Sequence, residues 1–143
     1  MSAFPGESRE VNGLAVVLDR LVYSEPHTET AITYGVEIPQ MHAFIYFLTI
    51  HNQSKTKVTL KGRKWVLRLE DGTTQVIEGG GIVGQSPTLR PGEHFSYNSY
   101  HLLRCNASAS GSFHGVDSQG QSVHVAIPPF EMRAPDGDGA QGA

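Results

Sequence analysis

The chain has 143 residues, a formal net charge of -3 and a single cysteine. This length fits one domain, and the slight acidity provides no positive field that would attract nucleic acid. With no partner for an internal disulfide, Cys105 favours a cytoplasmic location. We expect no secretory signal. We also expect no membrane insertion, because the longest apolar run, residues 43–48, is too short to cross a bilayer.

The two ends of the chain differ from the middle in composition. Residues 1–11 are polar and show no hydrophobic period, which predicts a flexible N-terminal arm. Residues 135–143 are rich in glycine and lack an apolar anchor, which predicts a disordered tail. The folded domain is therefore expected to cover residues 12–134.

Between these ends, apolar residues alternate with polar ones, which is typical of β-strands. The predicted strands cover residues 14–22, 44–50, 58–60, 64–70, 73–78, 95–98, 111–116 and 123–127. The second is apolar on both faces, which predicts a central position in its sheet. Asp71-Gly72 predicts a tight hairpin, and Pro128-Pro129 is expected to end the last strand because proline cannot donate a ladder hydrogen bond.

No segment shows a helical period over two or more turns. Seven to eight strands, separated by turn signals about every 8–12 residues, are typical of a β-sandwich. The sequence therefore predicts an all-β fold made of antiparallel strands. On the strand that includes Leu67 and Leu69, we expect Trp65 to share their face and to lie in the core.

A glycine-rich run, Gly79 to Gly84, matches the pattern G-x-G-x-x-G. The dinucleotide-binding form of this pattern needs a helix after the last glycine, and Pro87 and Pro91 argue against one. The phosphate-binding form that ends in Gly-Lys-Ser/Thr is absent. The run is therefore interpreted as a loop that needs positive φ angles or close backbone approach.

A second interpretation of the glycine run stays open. Consecutive loop amides can bind an anion without a helix, and nearby basic side chains could add positive charge. The candidate ligand- or partner-binding residues are Gly79, Gly80, Gly81, Gly84, Arg63, Lys64 and Arg90.

Other constellations give no specific chemistry. The seven histidines show no metal-ligand spacing, although clustering in space stays open. Cys105 lacks a recognisable oxyanion motif or orienting carboxylate and is interpreted as a buried or incidental thiol. We expect no catalytic residues, no metal site and no cofactor.

Several short motifs occur in a characteristic order. They are Arg63-Lys64-Trp65, Asp71-Gly72, Glu78 to Pro87, Leu89 to Glu93, Phe95 to Ser99 and Val125 to Phe130. Together, over about residues 12–134, the chain resembles the ApaG domain family. The resemblance implies an immunoglobulin-like or fibronectin type III-like sandwich. It implies no catalytic residues.

The resemblance also bears on function. The domain occurs as an accessory module in larger eukaryotic proteins, which implies protein recognition, and small bacterial members are associated with cobalt and magnesium efflux. The sequence departs from the family pattern at residues 105–113, where Ala107 and Ala109 stand at positions usually taken by a glycine turn and a methionine. We expect the strand to form there and the turn before it to differ.

The function expected from these features is a non-enzymatic binding module. It would recognise a protein partner through a sheet face or an edge strand, and its edge strands would also allow a weak homodimer. A link to divalent cation homeostasis follows from the resemblance. The alternative is a binder, or a hydrolase, of a phosphate-containing small ligand that uses the glycine run.

Overall fold

Strands and turns make up the described part of the protein. The structure is a computed structural model that describes residues 8–25 and 41–135. Its strands, in chain order, are β1 (Arg9–Glu10), β2 (Leu14–Ser24), β3 (His42–Asn52), β4 (Val58–Leu69), β5 (Thr74–Gly80), β6 (Thr88–Leu89), β7 (His94–Leu103), β8 (Ala107–Asp117) and β9 (Ser122–Met132). The predicted all-β fold is confirmed, and the described residues form seven long strands and two strands of two residues.

The strands form two sheets. The large sheet has the order β1-β9-β8-β4-β5, and β6 pairs with the start of β4. The small sheet has the order β2-β3-β7, so the strand that is apolar on both faces is central, as predicted. The pairings are antiparallel, except that β1 runs parallel to β9.

The core lies between the two sheets. Trp65 of β4, Phe44 of β3 and Phe113 of β8 are the largest fully buried side chains. Burying a side chain of this kind contributes about 1.5–3 kcal/mol relative to leaving it exposed. The predicted core position of Trp65 is confirmed, and the sandwich is held by apolar packing between the sheets.

The fourth strand is longer than the sequence pattern predicts. β4 is continuous over Val58–Leu69, where the alternation predicts separate strands over residues 58–60 and 64–70. The ladder between β4 and β8 shifts register between Leu60 and Gly62. This bulge moves the buried positions from even to odd numbers, so the alternation breaks although the strand does not.

The last strand corrects a second prediction. β9 continues through Pro128 and Pro129 to Met132, so the expectation that the prolines end the strand is wrong. Ile127 pairs with Gly111 and Phe130 pairs with Ala109, which places both prolines opposite one residue of β8. The ladder is already interrupted at this bulge, so the missing amides cost no regular pairing.

β8 begins earlier than residue 111, where the sequence pattern predicts its start. It covers Ala107–Asp117, and Ala107 and Ala109 are buried core residues within it. The segment in which the sequence departs from the family pattern is thus largely part of the strand. Half-buried Cys105 precedes the strand and packs against the core.

The beginning of the described chain is attached to the large sheet. Arg9 and Glu10, which the sequence analysis places in a flexible arm, pair with Val123 and His124 of β9. The guanidinium of Arg9 also lies 2.5 Å from a carboxylate oxygen of Asp117. Residues 1–7 and 136–143, which hold most of the predicted arm and tail, lie outside the described residues.

Candidate functional site

The glycine run forms a tight hairpin turn between β5 and β6. The amide of Ile82 donates to the carbonyl of Gln85 at 2.7 Å, and the amide of Gln85 donates back at 3.0 Å. Val83 and Gly84 between them both have positive φ, 44° and 79°, which is typical of a type I′ turn. Ile82 is fully buried and fixes the turn to the core.

Three of the four candidate glycines are explained by the shape of this segment. A Cβ at Gly79 would lie 2.9 Å from the Arg63 guanidinium, and a Cβ at Gly81 would lie 2.9 Å from the carbonyl oxygen of Gln85. Gly81 also has a φ of +70°, and Gly84 a φ of +79°, which side chains rarely adopt. A Cβ at Gly80 would make only an ordinary van der Waals contact, 3.9 Å from the carbonyl oxygen of Lys61.

Arg63 holds the glycine run from the side. Its Nη1 donates to the carbonyl oxygens of Gly80 and Gly81 at 2.9 and 3.1 Å. The amide of Gly81 donates to the carbonyl of Lys61 at 2.7 Å. Because the amides of Gly81 and Ile82 already donate to backbone carbonyls, they are not free to bind an anion. The guanidinium of Arg63 likewise donates to carbonyls of the glycine run.

The three candidate basic residues do not converge on the glycine run. Arg90 follows β6, whose Leu89 pairs with Val58, and its amide donates to a carboxylate oxygen of Glu93 at 2.7 Å. Arg63 lies five residues further along β4 than Val58, or about 17 Å at the usual rise per residue. Lys64 follows Arg63 in the strand, and successive side chains point to opposite faces.

Lys64 instead faces a cleft of about 570 Å³ on the outer surface of the large sheet. The polar cleft, as we call it, is lined by Ser8, Lys64, Glu78, His114 and His124, together with Gly115, Ser122 and Val123. Histidine spacing in the sequence does not predict whether any of them cluster, and two of the seven histidines meet in this cleft. His114 pairs with His124 across β8 and β9, a register set by the turn at residues 118–121.

Hydrogen bonds position both histidines of the polar cleft. The hydroxyl oxygen of Ser112 lies 2.9 Å from Nε2 of His114, and that of Ser8 lies 2.8 Å from Nδ1 of His124. Partial burial lowers the pKa of His114, and neighbouring His124 and Lys64 lower it further, while Glu78 acts in the opposite direction. The cleft therefore holds oriented imidazoles beside a lysine.

The outer surface of the small sheet is more apolar than the polar cleft. Its small-sheet face, as we name it, carries the side chains of Val17, Ile45, Phe47, Tyr100 and Leu102, which point away from the core. Tyr100 is 61% exposed, Leu102 46% and Val17 43%. Ile45 lies opposite Tyr100 across β3 and β7. Arg20 lies over the ring of Phe47, 5.6 Å from its centroid. Polar side chains on the same outer surface are hydrogen-bonded to one another, namely Asp19, Thr49 and Ser96. The face is therefore apolar mainly around Ile45, Tyr100 and Leu102.

At one edge of the small sheet lies β7. Among the residues that the structure describes, β7 pairs only with β3. The amide of Asn52 donates to the carbonyl of Glu93, and hydrogen-bonded pairs alternate with non-bonded pairs in an antiparallel ladder. The amides of Ser96, Asn98 and Tyr100 therefore point away from β3.

This edge lacks the usual protection. β7 reads HFSYNSYHLL and contains no proline, lysine, arginine, aspartate or glutamate. Natural proteins normally place charges, prolines or bulges on exposed edge strands to prevent unwanted pairing, and the ladder between β3 and β7 has no register shift. Among residues 8–25 and 41–135, no strand pairs with the outer side of this ten-residue, uncharged edge.

Two further features bear on what the chain can do. Within residues 8–25 and 41–135, no group of three or more His, Cys, Asp or Glu side chains is placed to hold a metal ion. The same part of the chain contains no helix long and apolar enough to span a membrane.

Comparison with known proteins places the chain in a family. A family model described as the ApaG domain matches residues 36–117. Protein ApaG of Anaeromyxobacter dehalogenans is 33% identical in an alignment of 119 residues that covers 74% of this chain and 95% of that protein. Protein ApaG of Sodalis glossinidius is 36% identical over 95 residues, which are 66% of this chain and 76% of that protein.

A solved structure shares the fold. The crystal structure of a Bordetella pertussis protein described as ApaA superposes with a TM-score of 0.68 at 23% identity, over 90% of this chain and 98% of that chain. The sequence matches and the shared two-sheet fold agree with the resemblance inferred from the motifs. The chain belongs to the ApaG domain family.

Proposed function

We propose that this protein is a non-enzymatic, cytoplasmic binding module that recognises a partner protein through β7 and the adjoining small-sheet face. The observation that carries the proposal is the combination of an uncharged edge strand with an exposed apolar surface. Exposed apolar patches next to open edges often mark interaction sites.

The mode of binding follows from the direction of the backbone groups. An extended segment of the partner would lie beside β7 and pair with the outward amides of Ser96, Asn98 and Tyr100. Main-chain hydrogen bonds of this kind supply affinity, while alternate side chains supply specificity. The side chains of the added strand that point outward would pack against Tyr100 and Leu102.

The residues of β7 and the small-sheet face also indicate the composition of the partner segment. Because β7 has no charged residue other than histidine, it offers no counter-charge to a strongly charged segment. The small-sheet face favours alternate apolar side chains instead. We therefore propose an extended, alternately apolar segment of another protein as the occupant.

A second copy of this chain is the competing occupant. A twofold axis at Asn98 would place Ser96 opposite Tyr100 of the second copy, with no like charges facing each other. Such pairing would extend the small sheet from three strands to six. The proposal accommodates it as a weak self-association that the partner displaces.

The proposed function includes a link to divalent cations, which the partner protein would handle. Its support is the association of the family with cobalt and magnesium efflux. Because the described residues place no group of three metal-ligating side chains together, the proposal assigns cation handling to the partner protein rather than to this chain.

Phosphate binding by the glycine run is the less favoured function. The amides of Gly81 and Ile82 are used by backbone carbonyls, and Arg63 donates to the run itself. A hydrolytic role is less favoured still, since no orienting carboxylate contacts either histidine of the polar cleft among the described hydrogen bonds.

Site-specific photo-crosslinking tests the proposed surface. A photo-crosslinking amino acid is placed at Tyr100 and, as a control, at exposed Arg68 on the outer face of the large sheet. We expect one protein to be crosslinked at position 100, and we expect no crosslink to that protein at position 68. Equal crosslinking at both positions, or none at position 100 in living cells, would contradict the proposed surface.

A further inference from the structure

We propose that the polar cleft binds a small oxyanion, a carboxylate or a phosphate-like group, and that His114 takes up a proton when the anion binds. The cleft lies on the large sheet, away from the small-sheet face. The inference therefore stands independently of the proposed function.

The donors that would hold the anion line one cleft. They are the side chains of Ser8, Lys64, His114, Ser122 and His124. His114 and His124 are Cα partners across β8 and β9. Ser112 does not line the cleft, but its hydroxyl is bonded to His114. The hydroxyl of Ser8 approaches from the segment before β1, at 2.8 Å from His124. A volume of about 570 Å³ lies within the range usual for small-molecule sites.

Lys64 is not consumed by a tight ion pair. Its Nζ lies 3.9 Å from Oε2 of Glu78, and both side chains are substantially exposed, at 46% and 66%. An exposed pair at this distance contributes little to stability. The ammonium group can therefore turn toward a ligand in the cleft at low cost.

The charges that face His114 explain why an anion would bring a proton with it. His124 and Lys64 oppose protonation of His114, and Glu78 is the carboxylate that favours it. Glu10 lies next to His124 across β1 and β9 and adds a second carboxylate near the cleft. An anion between the imidazoles and Lys64 would offset the repulsion and favour the imidazolium form.

Hydrogen bonding at the rings argues for an anion rather than a cation. A serine hydroxyl is bonded to one ring nitrogen of His114 and one of His124. Within the described chain, no third ligand joins the two imidazoles, whereas structural metal sites typically have four. Lysine and two hydroxyl groups are donors that suit an oxyanion.

A titration followed by NMR of the histidine side chains tests the inference on the full chain. Sulfate is the tetrahedral probe and acetate the carboxylate probe, because the charge of neither changes between about pH 6 and about pH 8. We expect saturable shifts of the His114 and His124 signals. We also expect an increase in the His114 pKa when the probe is bound. Uptake of one proton makes binding about tenfold tighter for each unit by which the pH is lowered in this range.

Two matched variants separate a specific site from general charge attraction. Lys64→Met should weaken binding about fivefold or more, on the scale of one lost charge-assisted hydrogen bond. Arg68→Met, on the same strand and face but outside the cleft, should leave it unchanged. Absence of saturable shifts, equal affinity at both pH values, or equal weakening by both variants would overturn the inference. The stronger of the two probes identifies the class of oxyanion.

Discussion

At the scale of single residues, His101 is the most informative buried group. Its ring lies 4.9 Å from that of Tyr46 and 4.7 Å from that of Trp65, and its Nε2 has no hydrogen-bond partner among the described residues. Burial lowers its pKa to about 4. Because the unfolded chain keeps an ordinary histidine pKa near 6.5, protonation favours unfolding.

The resulting pH dependence has a definite sign and window. The stability that neutral His101 provides is complete above about pH 6.5 and is lost progressively as the pH falls toward about 4, a total of about 3 kcal/mol. Urea unfolding at a series of pH values should show this loss in the native protein. His101→Phe should flatten the loss, whereas His94→Gln, at an exposed site on the same strand, should not. The pKa of His114 is also lowered, so a smaller loss in this window should remain in the phenylalanine variant. A loss as large as that of the native protein would contradict this assignment.

Asp71 titrates in a range separate from that of His101. Hydrogen bonds from Thr73 and Arg104 lower its pKa to about 2. Its contribution is therefore present above the ordinary aspartate pKa near 3.9 and is lost below it. The His101 window lies above that range.

Val83 is strained at the tip of the glycine turn. A β-branched residue with a φ of 44° is an outlier, and left-handed backbone costs most residues about 1–2 kcal/mol. Because Val83 is 46% exposed, little packing is lost when it is replaced. Val83→Asn should stabilise the protein by about 1 kcal/mol, since Asn-Gly is favoured in type I′ turns. Thermal unfolding measures the change.

A comparison at the next position controls for general effects of the loop. Gly84→Ala, at a φ of +79°, should destabilise the protein by about 1 kcal/mol. If Val83→Asn leaves the melting temperature unchanged while Gly84→Ala lowers it, the strain assigned to Val83 is absent.

At the scale of elements, close contact between β8 and β4 depends on glycine. A Cβ at Gly115 would lie 1.9 Å from the carbonyl oxygen of Thr59, whereas one at Gly120 meets nothing within 4 Å. Gly115→Ala should therefore destabilise the protein by about 3 kcal/mol, as overpacking does. Gly120→Ala, strained only by a φ of +77°, should cost about 1 kcal/mol. Denaturant unfolding of both variants gives the comparison, and equal losses would contradict it.

The strands also show which element bounds the sequence pattern predicts correctly. Period-two alternation predicts β3 well, because it keeps a single phase along its apolar face. It ends β7 at residue 98, five residues early. It also misses the bulge between Leu18 and Arg20, which changes the phase of β2. It divides β4 and ends β9 too early, because the bulges near Gly62 and Pro128 change the phase or accept proline. A bulge depends on the partner strand, which local sequence does not reveal.

In the candidate site, too, local sequence predicts some features, whereas pairing between strands determines others. Prolines after the glycine run predict a loop rather than a helix, and the structure places a tight turn there. The separation of Arg63 from Arg90 depends on which residues of β4 face β6. The meeting of His114 and His124 depends on the length of the turn between β8 and β9. Such register is fixed by tertiary pairing, so the polar cleft has no short sequence signature.

At the scale of the whole molecule, the two sheets present different chemistry to solvent. The large sheet carries the polar cleft, and the small sheet carries a partly apolar face beside an uncharged edge. One domain thus offers two separate surfaces for two kinds of ligand. Substitutions on one sheet should leave binding at the other unchanged, because distant sites without shared partners usually act additively.

The central claim is that a partner protein adds a strand to β7, and the amide of Asn98 tests it most directly. Asn98→Pro removes an amide that points away from β3, while Asn98→Ser keeps it. We expect the affinity for the partner crosslinked at position 100, measured by calorimetry, to fall about tenfold or more with proline, on the scale of one main-chain hydrogen bond. With serine it should stay nearly unchanged. Equal affinities for the two folded variants would contradict strand addition at this edge.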